Sequence, residues 1–312
     1  MKRLLKKSVI FITVFMLMLY SLNAIYSNTN GYKDVNNMYS FNSVSYNLEL
    51  VNFGTSHGMM GIDYQNEPYN AFNFGLTNQL LYYDYCLLEQ YSDHLNEDCV
   101  VIIPVSYLSL YHNYSEQLPK QEPRYYGYLD DKYLNITFEK YIRYVLFPIL
   151  SSGNGNILYL IKDKANISNP WKYNIKYMGE NELIDNAENC VRYHYYSKLQ
   201  VFRPVDNKSV YYTKKMIEYC KNNGYTPVLI TIPTTDEYTN KIPQKVYDEF
   251  YSIVPGIAEE YNVTYLDYSN HTEISSNHTL FSDSTHLNVN GRKAFTKLLI
   301  SDLQNKSLLK LK

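Results

Sequence analysis

Apolar positions in this chain fall into two kinds of run. Residues 48–53, 99–105, 226–232 and 264–268 are short and mostly apolar and are bounded by charged or turn-forming residues. That pattern predicts strands covered on both faces, because a half-solvated strand would alternate apolar with polar. A shorter run at 69–73 predicts one more strand. Between them lie longer segments with apolar residues at helical spacing. Residues 76–95 carry Leu80, Leu81, Leu87, Leu88 and Tyr91; 208–223 stop at Gly224; 243–261 are interrupted at Pro255-Gly256; 290–303 close the domain. Strand, helix, strand predicts an α/β fold, one parallel sheet flanked by helices. In such sheets, sites form beyond the carboxyl ends of the strands. Ser56, Gly75, Ser106 and the Thr234-Thr235 loop all fall there.

Residues 114–204 break the rhythm, with a helix predicted at 138–150, a Gly/Asn/Ser loop at 151–156 and irregular Tyr-rich sequence. The expectation is a helical and irregular insertion that caps the site. At the N-terminus, Lys2, Arg3, Lys6 and Lys7 precede an uncharged apolar stretch from Ser8 to about Leu22. Four cations before such a run predict export with the basic flank held on the cytoplasmic side. Residues 1–27 are expected to be an uncleaved signal anchor, with cleavage after Leu22-Asn23-Ala24 as the alternative. Residues 28–47, polar and rich in Asn and Ser, are expected to be a linker, and 48–312 the catalytic-type domain.

Composition narrows the partners. The chain has 312 residues, 45% of them hydrophobic, and a net charge of −2 from 29 basic and 31 acidic residues. A sizeable core can form, and no basic stripe beyond the N-terminus favours nucleic acid. Cys86, Cys99, Cys190 and Cys220 could form disulfides in an exported chain, in any of three pairings, or remain buried thiols. Their spacings match no zinc pattern, and His94, His112, His194, His271 and His278 lack carboxylate partners at ligand spacing, so no metal and no cofactor is expected. Tyrosine is in excess, at 36 residues. The rings could be sugar-stacking platforms, or the excess could follow from an AT-rich genome.

Two motifs carry candidate chemistry. Val51-Asn-Phe-Gly-Thr-Ser-His-Gly58 leaves a predicted strand through small residues, where a sharp turn can expose the Ser56 hydroxyl. Phe281-Ser-Asp-Ser-Thr-His-Leu-Asn-Val-Asn-Gly291 puts Asp283 three residues before His286, so one turn lets the carboxylate orient the imidazole while its other nitrogen faces a partner. His57 follows the serine. If the segment is extended it points to the opposite face, which gives it a structural or substrate-facing role rather than that of base.

A serine early, at the exit of the first strand, and an Asp-x-x-His last, with a helix behind it, resemble the SGNH (GDSL-like) hydrolase superfamily, closest to its extracytoplasmic bacterial branch. The resemblance covers roughly 48–90 and 224–303. It implies a flavodoxin-like parallel sheet and a triad of Ser56, Asp283 and His286. Thr55 stands where many members have Asp. Asn73-Phe74-Gly75 matches the second block, so the backbone N–H of Gly75, with that of Ser56 or His57, is implied as an oxyanion donor; Asn78 is a further donor or a helix cap. The third block, Gly-x-Asn-Asp, is missing. Ser106 and Tyr107 occupy its place and are pocket candidates.

The resemblance implies a serine-dependent acyl-ester hydrolase or O-acyltransferase acting on a cell-surface glycan, teichoic acid or similar polymer. Related branches include carbohydrate esterases, O-acetyltransferase partners and the teichoic-acid D-alanylation protein. Partners implied are the acylated polymer and a multi-pass membrane acyltransferase, with the N-terminal helix in the membrane. The alternative is an SGNH fold kept as a non-catalytic binding or assembly partner of such a system.

Overall fold

The computed structural model describes residues 2–29, 32, 38–151 and 176–312. Two compact units divide the chain: Met1–Ser43 with Pro119–Pro170, and Val44–Leu118 with Trp171–Lys312. In the first unit, helix α1 (Lys2–Ser27) has a mean hydropathy of 2.1 over its most apolar window and is long and apolar enough to cross a membrane. Its side chains from Leu4 to Leu22 are largely exposed. Within the same unit the stretch expected as one helix over 138–150 is broken into an α turn (Phe138–Lys140), a π turn (Tyr141–Leu146) and a 3-10 turn (Pro148–Leu150). The cause is Pro148, which forces Phe147 out of the helical region, to φ −132° and ψ 66°. Asn23 ties this stretch to α1, donating to the Leu146 carbonyl at 3.1 Å and accepting from Ile149 N–H at 3.2 Å. A 3-10 helix, Met38–Ser43, lies in the segment expected as a linker. The loop expected at 152–156 lies outside the described residues.

The second unit holds the sheet. In chain order it contains β1 (Leu48–Asn52), α2 (Ser56–Gly61), β2 (Ala71–Asn73), α3 (Leu81–Gln90), β3 (Leu95–Pro104), α4 (Glu180–Tyr195), α5 (Asn207–Asn222), β4 (Thr226–Thr231), α6 (Gln244–Glu260), β5 (Thr264–Asp267) and α7 (Val289–Asn305). All strand pairs are parallel, in the order β2-β1-β3-β4-β5. This is the flavodoxin-like order, whose switch point lies between β1 and β3. The chain therefore leaves β1 and β3 in opposite lateral directions, and the ends of those strands frame a crevice.

The core explains why the strand sequences do not alternate. Leu50, Val100, Ile102, Val228 and Ile230 face one side and pack with Phe295, Leu299 and Leu303 of α7. Val51, Val101, Ile103 and Leu229, the intervening positions, are also fully buried. Both faces are covered, so each position contributes on the order of 1.5–3 kcal/mol of burial.

Two predicted helices differ from expectation. The one expected at 76–95 begins only at Leu81, because Asn78 takes a left-handed φ of 56° in a turn closed by Gln79 N–H on the Leu76 carbonyl at 3.0 Å. The interruption expected at Pro255-Gly256 does not occur. Pro255 sits inside α6, whose Phe250, Val254, Ile257 and Ala258 are buried, while a Cβ added at Gly256 would meet nothing within 4 Å beyond its own helix among the described residues. Packing on one face carries the helix across the missing hydrogen bond. Helix α4, inside the segment expected to be an irregular insertion, was not anticipated; Leu183, Ala187, Val191 and Tyr195 bury one of its stripes.

Candidate active site

The serine end of the site is built by close backbone approach. After β1 the chain turns at Gly54, whose φ of 107° suits glycine alone. Thr55 then caps α2, its hydroxyl accepting from His57 N–H at 3.3 Å. Ser56 is the first residue of that helix, so the segment is helical and not extended as expected. Asn52 and Asn73, paired in register on β1 and β2 and joined side chain to side chain at 2.9 Å, both donate to the Gly58 carbonyl, at 3.2 and 3.0 Å. They hold α2 so near the sheet that a Cβ on Gly58 would lie 2.1 Å from the Phe53 carbonyl oxygen, and one on Gly75 would lie 2.6 Å from Met59 N.

Beneath this turn, Gly54 N–H donates to Asp84 Oδ1 at 2.9 Å and Gln79 Nε2 donates to the same oxygen at 2.5 Å. Burial pushes the Asp84 carboxyl up to about 7, against the lowering effect of those two donors.

The Asp283–His286 end is a polar network. His286 Nδ1 contacts Asp283 Oδ2 at 2.9 Å and Oδ1 at 3.0 Å, and its Nε2 lies 2.8 Å from Ser56 Oγ. With the proton on Nδ1 facing the carboxylate, Nε2 accepts from the serine hydroxyl. Asp283 Oδ1 also accepts from the N–H groups of Thr285 and His286, at 2.8 and 2.9 Å, and from Thr285 Oγ1 at 3.1 Å. Burial alone would raise the Asp283 pKa; the charge of His286 and the bonds from His286 and Thr285 outweigh it and bring it down to about 2. Asn288 then caps α7 through Asn290 and Gly291 N–H groups. The same short segment thus orients the base and starts the closing helix.

The structure brings Ser56, Asp283 and His286 into hydrogen-bond contact; the other candidate residues do other things. Gly75 N–H, implied as an oxyanion donor, is taken by Asn73 Oδ1 at 2.9 Å, because the asparagine that pins α2 also reaches back to its own turn. Asn78 is exposed in its left-handed turn, and the N-cap position of α3 is held by Leu80. Ser106 closes a capping box with Ser109 over the 3-10 helix Tyr107–Tyr111, their hydroxyls 2.9 Å apart. Tyr107 points into the core: its hydroxyl donates to Ser269 Oγ and pairs with Tyr251 OH, each at 2.9 Å, and its ring packs edge-on against Phe250.

His57 is buried edge-on against His286, ring centroids 5.1 Å apart, with no hydrogen-bond partner on either ring nitrogen among the described residues. Burial first, then the neighbouring His286, His194 and His112, push its pKa well below the ordinary value. Burial, with the charge of Arg203 second, draws His112 down to about 4, and burial, with His286 and His112 next, draws His194 down to about 3. All three are neutral at pH 7. Among the described residues no group of three or more His, Cys, Asp or Glu is arranged to hold a metal ion. All four cysteines are free thiols.

Sequence reasoning missed Thr285, Asp84 and Asn186, the last of which accepts from Ser284. Thr285 could have been found, since it lies between the two motif residues. Asp84 could not, because only the fold carries α3 beneath Gly54.

The DltD protein family matches residues 211–298. The sequence has no significant match among curated proteins. Solved structures similar to the chain include a GDSL-like lipase from Bacteroides thetaiotaomicron (10% identity, TM-score 0.41, covering 90% of this chain and 99% of that one). Others are the acetylxylan esterase Axe2 from Geobacillus stearothermophilus (11%, 0.39, 83% and 95%) and a lipase/acylhydrolase from Enterococcus faecalis (11%, 0.37, 82% and 95%).

Proposed function

We propose that this chain, a member of the SGNH superfamily whose C-terminal part matches the DltD family, is a serine-dependent acyl-ester enzyme acting on a cell-surface glycan or teichoic-acid-like polymer. One observation carries the reading: the continuous contact from Ser56 Oγ through His286 to Asp283. Ser56 attacks the ester carbonyl while His286 Nε2 takes the hydroxyl proton. Asp283 holds the imidazole in the required tautomer and stabilises the imidazolium. The tetrahedral oxyanion is met by the N–H of Ser56, which as the first residue of its helix has no acceptor there. Collapse expels the first alcohol, which takes the proton from His286. The acyl-serine then passes its acyl group to water or to a polymer hydroxyl, deprotonated by the same histidine.

The occupied Gly75 N–H and the missing third block predict slow turnover, because loss of one oxyanion donor costs about a hundredfold or more in rate; the positioning of a bound polymer hydroxyl relative to water is what favours transfer. The same two features support a second reading, a non-catalytic binding partner of a membrane acyltransferase. Helix α1 supports a single N-terminal anchor with the domain outside the cell; protease shaving of intact, wall-stripped cells tests it, and a protected full-length chain in the cytosol would refute it.

A fluorophosphonate probe on the full chain in detergent separates the readings. Wild type is expected to label at Ser56, S56A to lose labelling entirely, and H286A to lose nearly all of it, because members of a catalytic unit fail together. Labelling without appreciable hydrolysis of a small acetyl ester points to transfer. No labelling, with a known serine hydrolase labelled alongside, replaces the enzyme with the binding module.

A further inference from the structure

We infer that Asn186, on the helix α4 supplied by the insertion, is a positioning residue that holds the Asp283–His286 segment in register with Ser56. The inference rests on the triad proposed above. Ser284, between the two motif positions, is completely buried. Every polar group it has must therefore find a partner inside the protein. Its N–H and its hydroxyl both donate to Asn186 Oδ1, at 3.0 and 2.6 Å. Its carbonyl accepts from Thr235 N–H at 3.1 Å and Thr235 Oγ1 at 3.0 Å. Ser284 is the point at which the acid–base segment is gripped, from α4 on one side and from Thr235 in the loop after β4 on the other.

The grip belongs to a stripe. Asn186, Cys190 and His194 lie four residues apart, so they share one face of α4. Cys190 Sγ donates to Asn186 Oδ1 at 3.7 Å. His194 Nδ1 lies 2.8 Å from Tyr238 OH. The adjoining stripe of Leu183, Ala187, Val191 and Tyr195 anchors the helix in the core. Apolar packing thus fixes where α4 lies, and the polar stripe beside it determines where His286 lies. An acceptor is needed at position 186, since both groups of Ser284 that point to it are donors.

The test uses the full chain in detergent, with three variants. N186L keeps the volume and removes the acceptor; N186D keeps an acceptor. For each, the probe inactivation rate is resolved into apparent affinity and limiting rate, and the low-field proton resonance of the His286–Asp283 hydrogen bond is recorded, with H286A to assign it. Expected for N186L is a ten- to hundredfold lower limiting rate, unchanged probe affinity and a broadened or lost low-field resonance; N186D is expected within a few-fold of wild type in both. An N186L protein with wild-type limiting rate and resonance overturns the inference, whatever its melting temperature. So does an N186D protein as impaired as N186L, because the acceptor would then be irrelevant. If wild type does not label, the catalytic proposal falls, and the resonance alone decides whether Asn186 positions His286.

Discussion

The two ends of the candidate site are held in place by different physics. On the serine side the constraints are steric: glycines at 58 and 75 let α2 approach β1 and β2 until backbone touches backbone, and two asparagines clamp the helix from beneath. On the histidine side a comparable approach, 2.0 Å between a Cβ added at Gly291 and the Leu280 carbonyl oxygen, lies in the first turn of α7 and not at the reacting imidazole. Asp283, Thr285, Ser284, Asn186 and Thr235 instead fix it by converging hydrogen bonds. A steric constraint fails abruptly when an atom is added. A network of bonds worth about 1 kcal/mol each loosens by degrees. The nucleophile is thereby placed with little freedom, while the base retains the small adjustments that proton transfer in two directions requires.

The sharpest way to break this comparison is Gly58→Ala. Its Cβ would overlap the Phe53 carbonyl, with backbone on both sides unable to yield. Destabilisation of about 3 kcal/mol or more is expected, read as a large drop in melting temperature together with loss of Ser56 labelling. A variant that melts and labels like wild type would show that the serine side is not sterically set.

Next in size is a pH effect at Asp84, the titratable group under the nucleophile turn. Its folded pKa, about 7, lies above the ordinary carboxylate value. The folded state therefore binds the proton more tightly than the unfolded state does. The resulting stability is fully present below about pH 4 and is lost as pH rises through about 7. Relative to Asp84→Asn, wild type is expected to lose on the order of 3 kcal/mol between pH 4 and pH 8, measured by urea midpoints. A constant difference across that range would remove Asp84 from the account.

The smallest effect is expected on the network side. Thr285→Val removes one hydroxyl bond to Asp283 and leaves the backbone donors in place. A five- to tenfold slower probe reaction, about 1 kcal/mol, with an unchanged melting temperature is expected. A loss as complete as that of H286A would mean that the network is as brittle as the steric side.

How much of this was legible follows from how local each feature is. The strands could be read because burial on both faces leaves continuous apolar runs, and Asp283 and His286 because three residues close one turn. The stop at Gly224 is likewise local and is in place. The core role of Tyr107 could not be read, since Ser269 and Tyr251 come to it from far along the chain. Nor could the occupied N–H of Gly75 be foreseen, because Asn73 reaches it only after being recruited to hold α2. Asn186 lay in a segment without a recognisable motif, where a single polar stripe on a helix has no meaning until its partner is known.

By itself, then, the sequence determined the alternation of strand and helix, the apolar N-terminal helix and the two motifs with their candidate nucleophile and base, because each depends on residues within a few positions of one another. The tertiary structure alone decided that Ser56 and His286, 230 residues apart, meet at 2.8 Å. It also decided that Asp84 lies beneath one and Asn186 beside the other. Those contacts come from strand order and helix packing, which bring together side chains that no local pattern connects.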